Sequence, residues 1–301
     1  MQPDEDINLL AVVVDTNPAA WAAAASDPDR PLDFVKIIEQ LLIFINAHLS
    51  LKFDNELAII ASHTDQSQFL YPLPPADPLG AADDEPSKPA NVYKQFFDVD
   101  RAVVSKLKEL VDDTRSNSVD HENRSMVAGS LALALSYINR IKRANENNTV
   151  QSRILILSIS PDLPSQYIPT MNCIFAAQKV STRIDVCRFS GRTYGGESVF
   201  LPQASHITAG IYLDIPEPNN LLQYLLYTFL PEPSMRKTLL LPHKDQVDFR
   251  AACFCHKNVV DVGYVCSVCL SIFCSLSKKC PTCQTVFQNP SNPESREILT
   301  L

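Results

Sequence analysis

The sequence is poor in glycine, with 7 in 301 residues, and it has no long uninterrupted apolar run. Phosphate-binding loops need glycine, and neither a Gly-Lys-Ser/Thr motif nor a Gly-x-Ser-x-Gly elbow occurs, so nucleotide binding and nucleophilic hydrolysis are not favoured. The apolar runs, such as Leu9–Val14, have the length of strands and not of membrane helices. Residues 1–8 are acidic, which is not typical of a signal peptide. The sequence therefore predicts neither membrane insertion nor secretion.

Basic residues are also in the minority, with 26 Lys and Arg against 34 Asp and Glu and a net charge of −8. A net acidic chain is a poor free-standing ligand for nucleic acid, because duplex binding starts with neutralisation of phosphates. Hydrophobic residues make up 46% of the chain, which is enough for a continuous core. We therefore expect a folded protein that does not bind nucleic acid well by itself.

The nine cysteines are distributed unevenly. Cys173 and Cys187 stand alone, and the other seven lie between residues 253 and 283. A secreted disulfide framework would spread its cysteines through the domain. Clustered cysteines in an intracellular chain are more typical of metal ligands.

Apolar strand-like runs alternate with amphipathic helical stretches through the first 240 residues. Alternation of this kind, with uniformly apolar strands, is typical of a doubly wound α/β sheet. We predict a mostly parallel, Rossmann-like sheet over residues 1–240 and a small C-terminal zinc-binding domain over 241–288. The proline-rich residues 72–91 predict a mobile loop, and residues 289–301 a flexible tail.

The predicted elements follow from periodicity and from capping residues. Ser125 is the predicted N-cap of the helix over residues 126–143. The predicted strands are 8–14, 56–62, 68–71, 153–159, 183–189 and 210–215, and the predicted helices are 32–49, 97–111, 126–143, 166–180, 202–209 and 219–230.

Two Cys-x2-Cys pairs, Cys266/Cys269 and Cys280/Cys283, form the strongest motif in the sequence. Each pair presents two thiolates to one ion, and two pairs complete a tetrahedral zinc site. All four positions are filled by the protein, so the predicted Zn²⁺ is structural and not catalytic. Because so short a domain has little core, metal binding would supply most of its folding free energy.

Cys253, Cys255, His256 and Cys274 leave two interpretations open. They could supply a second zinc site and give a cross-braced, RING-like arrangement. The first pair has only one intervening residue, which is tighter than the usual spacing. In the alternative there is a single zinc, and these cysteines are small buried hydrophobic residues beneath it.

Asp15 directly follows the first predicted strand, at the edge where doubly wound sheets bind ligands. With Asn17 it is the candidate for a divalent cation site, and Ser158 and Ser160 follow the next central strand. Asp162 is close in sequence but lies past Pro161. Magnesium needs several oxygen ligands in octahedral geometry. One carboxylate is too few, so we expect a degenerate site, or an Asp15 that only caps or turns the chain.

Several segments, in order along the chain, carry a family resemblance: NLLAVVVDTNP, ELAIIASH, AGSLALALSYINR, SRILIL and MNCIFAAQK, followed by LLQYLL, RAACFCH and GYVCSVCLSIFC. They resemble the general transcription factor IIH (TFIIH) subunit 3 family, whose members join a von Willebrand A-type domain to a C-terminal C4 zinc finger. The resemblance runs from about residue 6 to residue 287. It is sharpest around the cysteines, where positions that metal spacing does not dictate also match.

The resemblance implies a von Willebrand A-like fold and a non-catalytic structural subunit of the nuclear TFIIH core complex. It implies roles in transcription initiation by RNA polymerase II and in nucleotide excision repair. It also implies a partner, TFIIH subunit 2, whose zinc-binding C-terminal domain would be held by the A-type domain. Where adhesion-type A domains carry Asp-x-Ser-x-Ser, this sequence has Asp15-Thr16-Asn17-Pro18-Ala19 and keeps only the aspartate.

Two other classes of function are open to the same residues. Residues 253–283 could form the RING of an E3 ubiquitin ligase, with the α/β domain binding substrates. Asp15 could instead serve a metal-dependent adhesion module. The irregular first cysteine pair counts against the ligase, and the missing hydroxyls count against the adhesion module.

Overall fold

The computed structural model describes residues 7–287 except residues 65, 74–92, 117–124, 146–148, 164–165, 192–193, 196–197, 216–217, 233, 243–246, 248, 254, 257 and 270. The predicted loop 72–91, apart from its first two residues, lies outside the described residues. The predicted tail 289–301 lies outside them as well.

Six strands form one sheet in the order β3-β2-β1-β4-β5-β6. The strands are β1 Ile7–Asp15, β2 Glu56–Ser62, β3 Ser67–Tyr71, β4 Val150–Ser158, β5 Arg183–Phe189 and β6 Tyr212–Ile215. Neighbouring strands are parallel except for β2 and β3, which are antiparallel. The prediction of a mostly parallel, doubly wound sheet is confirmed.

Helices cover both faces of this sheet, which explains why β1 is apolar at consecutive positions. Its alternate residues enter opposite cores, with Leu10, Val12 and Val14 on one face and Leu9, Ala11 and Val13 on the other. The first face packs against α1 Pro18–Ala25, α2 Phe34–Leu51, α3 Lys94–Ser116 and α7 Leu221–Tyr224, and the second against α4 Val127–Ala144, α5 Tyr167–Lys179 and α6 Phe200–Ile207. The two cores hold the carboxyl ends of β1 and β4 side by side.

The C-terminal part of the sheet domain differs from prediction in two places. The expected helix 219–230 is a 3-10 turn, Pro218–Asn220, followed by α7 and by a π turn, Leu225–Phe229. At the end of this segment, buried Arg153 donates hydrogen bonds to the Phe229 and Leu230 carbonyl oxygens. β6 begins at residue 212 and not at 210, because the Gly210 N–H donates to the Ser205 carbonyl oxygen and the Ile211 N–H donates to the Asp185 carboxylate.

α2 is long and apolar enough to cross a membrane by length and composition, the one such helix in the part of the chain that the structure describes. Its buried residues are Ile37, Ile38, Leu41, Phe44, Ile45, His48 and Leu49. The apolar members of this set pack into the core on the first face of the sheet. Packing in the core therefore accounts for the apolar character of the helix.

Three short antiparallel pairings follow residue 250. β7 Ala251–Ala252 pairs with β8 Val259–Val260, β9 Tyr264–Val265 pairs with β10 Ile272–Phe273, and Lys279 pairs with Val286. Among the described residues, Cys266, Phe273 and Cys280 form one small buried cluster in this region. Ladders of this length have little stability of their own.

The segment between the sheet and these pairings is attached to β5 and α6. Arg236 donates two hydrogen bonds to the Asp185 carboxylate, at 2.8 and 2.6 Å, and both side chains are buried. Further along, the Phe249 ring lies against His206, with ring centroids 5.1 Å apart. These contacts place the cysteine-rich region beside α6.

Candidate metal centre and cation site

The two Cys-x2-Cys pairs meet in space and form what we call the C4 cluster, Cys266, Cys269, Cys280 and Cys283. Their four Sγ atoms all lie within 4.8 Å of one another. Across the pairs, Cys266 Sγ is 3.7 Å from Cys283 Sγ, and Cys269 Sγ is 3.6 Å from Cys280 Sγ. Zn–S bonds of about 2.3 Å in a tetrahedron give an S···S separation of about 3.8 Å. The donor set therefore fits a tetrahedral metal ion.

Hydroxyl groups support the second cysteine of each pair. The Ser271 hydroxyl lies 3.1 Å from Cys269 Sγ, and the Thr285 hydroxyl lies 3.1 Å from Cys283 Sγ. Hydrogen bonding to Thr285 lowers the pKa of Cys283 to about 6, and hydrogen bonding to Ser271 lowers the pKa of Cys269. Both effects favour the thiolate, which is the form that binds metal.

Cys253, Cys255, His256 and Cys274 also come together, and we call them the mixed cluster, because they combine three thiols with an imidazole. One ligand atom from each residue lies within 4.8 Å of the others. The mixed cluster shares no residue with the C4 cluster, yet Cys274 lies between the two C4 pairs in sequence. The two clusters are therefore interleaved along the chain.

The Asp15 carboxylate lies at the carboxyl edge of the sheet, as expected, but protein donors surround it. Oδ2 accepts hydrogen bonds from the backbone N–H groups of Ser160, at 2.9 Å, and Ile159, at 3.3 Å. Oδ1 accepts from the Asn17 N–H at 3.2 Å and from the Ser125 hydroxyl at 3.3 Å. The side chain is 2% exposed. This carboxylate ties β1 to the chain that follows β4.

Asn17 is also engaged by protein groups on both sides of its amide. Its Oδ1 accepts from the Ala19 N–H at 3.1 Å and caps α1, and its Nδ2 donates to Ser160 Oγ at 3.1 Å. Beside this edge lies a cavity of about 20 Å³, lined in part by Ser125, Ser158 and Ser160. A volume of this size holds about one water molecule.

Ser125, near this edge, has a role different from the one expected, and Asp162 bonds to the start of α6. Ser125 does not cap α4, whose N-cap is Met126 without a side-chain bond. Its hydroxyl reaches Asp15 and, at 3.2 Å, Ser62 Oγ. Asp162 accepts from the Phe200 N–H at 2.7 Å and so holds the start of α6, while burial raises the pKa of Asp162. Sequence reasoning missed the role of Ser125 because its partners are distant in the chain.

Comparison with known proteins decides the family. The model of the Transcription factor Tfb4 family matches residues 7–284. The chain belongs to the Tfb4 family. A relative from Schizosaccharomyces pombe, named General transcription and DNA repair factor IIH subunit tfb4, is 44% identical over 98% of this chain and 95% of its own length. General transcription factor IIH subunit 3 of Dictyostelium discoideum is 44% identical over 85% of this chain and 68% of its own length.

A solved structure extends the comparison of this Tfb4-family chain to the fold. The crystal structure of the TFIIH p34 N-terminal domain is 36% identical and covers 74% of this chain and 98% of its own, with a TM-score of 0.59. The eight residues of the two clusters and Asp15 all lie within the stretch that matches the Tfb4 family. The resemblance seen in the sequence is thereby confirmed.

Proposed function

We propose that this chain is a non-catalytic structural subunit of the TFIIH core complex, which serves transcription initiation by RNA polymerase II and nucleotide excision repair. The observation that carries the proposal is the match to a named TFIIH subunit over nearly the whole of both chains. The same role places the protein in the nucleus. With a net charge of −8, the chain would meet DNA only through the complex.

The geometry of the two candidate sites supports a role through surface contacts. At the sheet edge, four protein donors occupy the Asp15 carboxylate, and Asn17 is bonded on both sides of its amide. These hydrogen bonds are consistent with a degenerate cation site, in which protein donors occupy the carboxylate in place of a cation. In the C4 cluster, four cysteines would hold a structural Zn²⁺, which would supply folding free energy.

We assign the contact with the rest of the complex chiefly to the A-type domain, residues 1–240, and its partner to the zinc-binding C-terminal domain of TFIIH subunit 2. The main cores support this domain boundary, because their buried members end at Phe229 and a separate small core begins at Cys266. Residues 241–288 would then form the zinc-binding domain.

The test is affinity purification of the tagged full-length chain from nuclear extract, followed by quantitative mass spectrometry. We expect the TFIIH core subunits in equimolar amounts with the tagged chain and absent from a tag-only control. Their absence, or recovery at trace levels, would contradict the proposal. Stoichiometric recovery of ubiquitin-conjugating enzymes would instead favour the RING ligase, for which the names of the family and its relatives give no support.

A further inference from the structure

Three turns in the cysteine-rich region share the same backbone hydrogen bond and the same pairing of the residues that flank them. In each, the N–H of a cysteine donates to the carbonyl oxygen five residues later: Cys253 to Asn258 at 2.8 Å, Cys266 to Ser271 at 2.9 Å and Cys280 to Thr285 at 2.8 Å. In each turn, the residue just before the cysteine pairs with the residue six positions after the cysteine: Ala252 with Val259, Val265 with Ile272 and Lys279 with Val286. The first turn is therefore built like the two turns of the C4 cluster.

This equivalence identifies the ligand positions of the first turn. In the C4 turns the second ligand stands three residues after the first, at Cys269 and Cys283. Three residues after Cys253 stands His256. Cys253 and His256 therefore have the same spacing as the C4 pairs, and Cys255 is a further thiol between them.

We propose that the mixed cluster is a second structural zinc site of this protein. Cys274 Sγ lies 3.5 Å from Cys255 Sγ and 3.1 Å from His256 Nδ1, and all four ligand atoms lie within 4.8 Å of one another. Three thiolates and one imidazole are a donor set that selects tetrahedral Zn²⁺. Cys274 directly follows β10, so the second ion joins the first turn to the end of the second turn.

The exposure of the mixed cluster argues against a role as ordinary core. Cys253 is buried, but Cys255 is exposed and Cys274 is only half-buried, so burial as hydrophobic residues does not account for Cys255 and Cys274. Apolar residues of the same segment are also exposed, with Val259 at 38% and Val262 at 75%. The two-residue ladder of β7 and β8 therefore needs another source of stability, and a bound metal supplies it.

The interleaving of the clusters has a structural consequence. The ion of the C4 cluster would join the second and third turns, and the ion of the mixed cluster would join the first turn to the second. Each metal would close a loop that contains part of the other site, which is the cross-braced arrangement. Residues 251–287 would then fold as one unit around two ions.

The direct test is the zinc content of the purified full-length chain, measured by elemental analysis against protein concentration from amino-acid analysis. We expect two zinc ions per chain. X-ray absorption at the zinc edge should show seven sulfur ligands and one nitrogen ligand shared by the two ions. One zinc with sulfur ligands alone would overturn the second site and leave the C4 proposal intact. Zinc-free folded protein would overturn both, without bearing on TFIIH membership.

Variants separate the two sites. Cys274→Ser should reduce the content to one zinc per chain, whereas Cys173→Ser, a matched change outside both clusters, should retain two. His256→Cys should retain two zinc ions and abolish the nitrogen scattering. Retention of two ions in Cys274→Ser, or of the nitrogen signal in His256→Cys, would contradict the assignment.

Discussion

Asp15→Ala tests whether the Asp15 carboxylate stabilises the fold through hydrogen bonds or binds a cation. The two roles predict different effects of the substitution on stability and on its dependence on magnesium. Asp15→Ala removes the acceptor for three backbone N–H groups, those of Asn17, Ile159 and Ser160, and for the Ser125 hydroxyl. Each buried backbone donor left unpaired costs about 1–3 kcal/mol, so we expect a loss of about 3–9 kcal/mol. For a domain of this size, 1 kcal/mol corresponds to about 2–4 °C in Tm.

Magnesium should leave the wild-type protein unchanged. If the edge bound Mg²⁺ with a Kd of about 0.1 mM, 10 mM Mg²⁺ would stabilise the native state by about 2.7 kcal/mol. That free energy would raise the Tm by about 5–10 °C. Because protein donors already occupy the carboxylate, we expect no difference between 10 mM MgCl₂ and NaCl of equal ionic strength.

Thermal unfolding followed by circular dichroism measures both effects. The control is Asp98→Ala, the same chemical change at an exposed position of α3, where we expect a change within about 0.5 kcal/mol. A magnesium-dependent rise in Tm that Asp15→Ala abolishes would refute the structural interpretation. If Asp15→Ala and Asp98→Ala were equally stable, the hydrogen bonds to the Asp15 carboxylate would not stabilise the fold as we argue.

Three further predictions concern the metal, the linker and pH. Cys283→Ser should cost the C4 zinc and speed hydrogen exchange in residues 251–287 but not in β1 or β4; uniform protection would contradict this. Arg236→Met should leave the buried Asp185 carboxylate without its charged partner and cost about 3–5 kcal/mol in chemical denaturation. Arg250→Met, which breaks an exposed ion pair, should cost less than about 1 kcal/mol, and equal losses would count against the burial argument. Burial lowers the pKa of His48 to about 4, so protonation of the unfolded chain should remove up to about 3 kcal/mol of stability as pH falls from 6.5 to 4. The slope should disappear in His48→Leu, and an unchanged slope there would show that other groups cause it.

The central strands could be predicted from sequence because burial on both faces leaves a strong local signal. β1 is apolar from Leu9 to Val14 and β4 from Ile154 to Leu157, and the structure places the two strands side by side in the sheet. The order of the strands leaves no such signal, since pairing depends on how the crossovers pack. α1 was missed because it is almost uniformly apolar and has no amphipathic period. Its signal was the N-cap Asn17 followed by Pro18.

The same difference between local and long-range contacts decides which parts of the candidate sites could be predicted. The C4 cluster could be predicted because each pair of ligands is local, and only the meeting of the pairs depends on the fold. The bonds from Ser125 to Asp15 join residues far apart in sequence and could not be predicted without the structure. Sequence reasoning also named Cys253, Cys255, His256 and Cys274 as a possible second site, but only the fold shows that Cys274 meets the other three.

The central claim, that this chain acts through a packed subunit interface, is tested most directly by co-expressing it with the zinc-binding C-terminal domain of TFIIH subunit 2. Size-exclusion chromatography in about 0.5 M NaCl screens exposed charge pairs, and no DNA, nucleotide or magnesium is added. We predict that the two co-elute as an equimolar complex and that Cys266→Ser, which damages only the zinc-binding region, still co-elutes. Separation of the wild-type chain from the partner domain would contradict the account, and loss of binding in Cys266→Ser alone would move the contact from the A-type domain to the zinc-binding region.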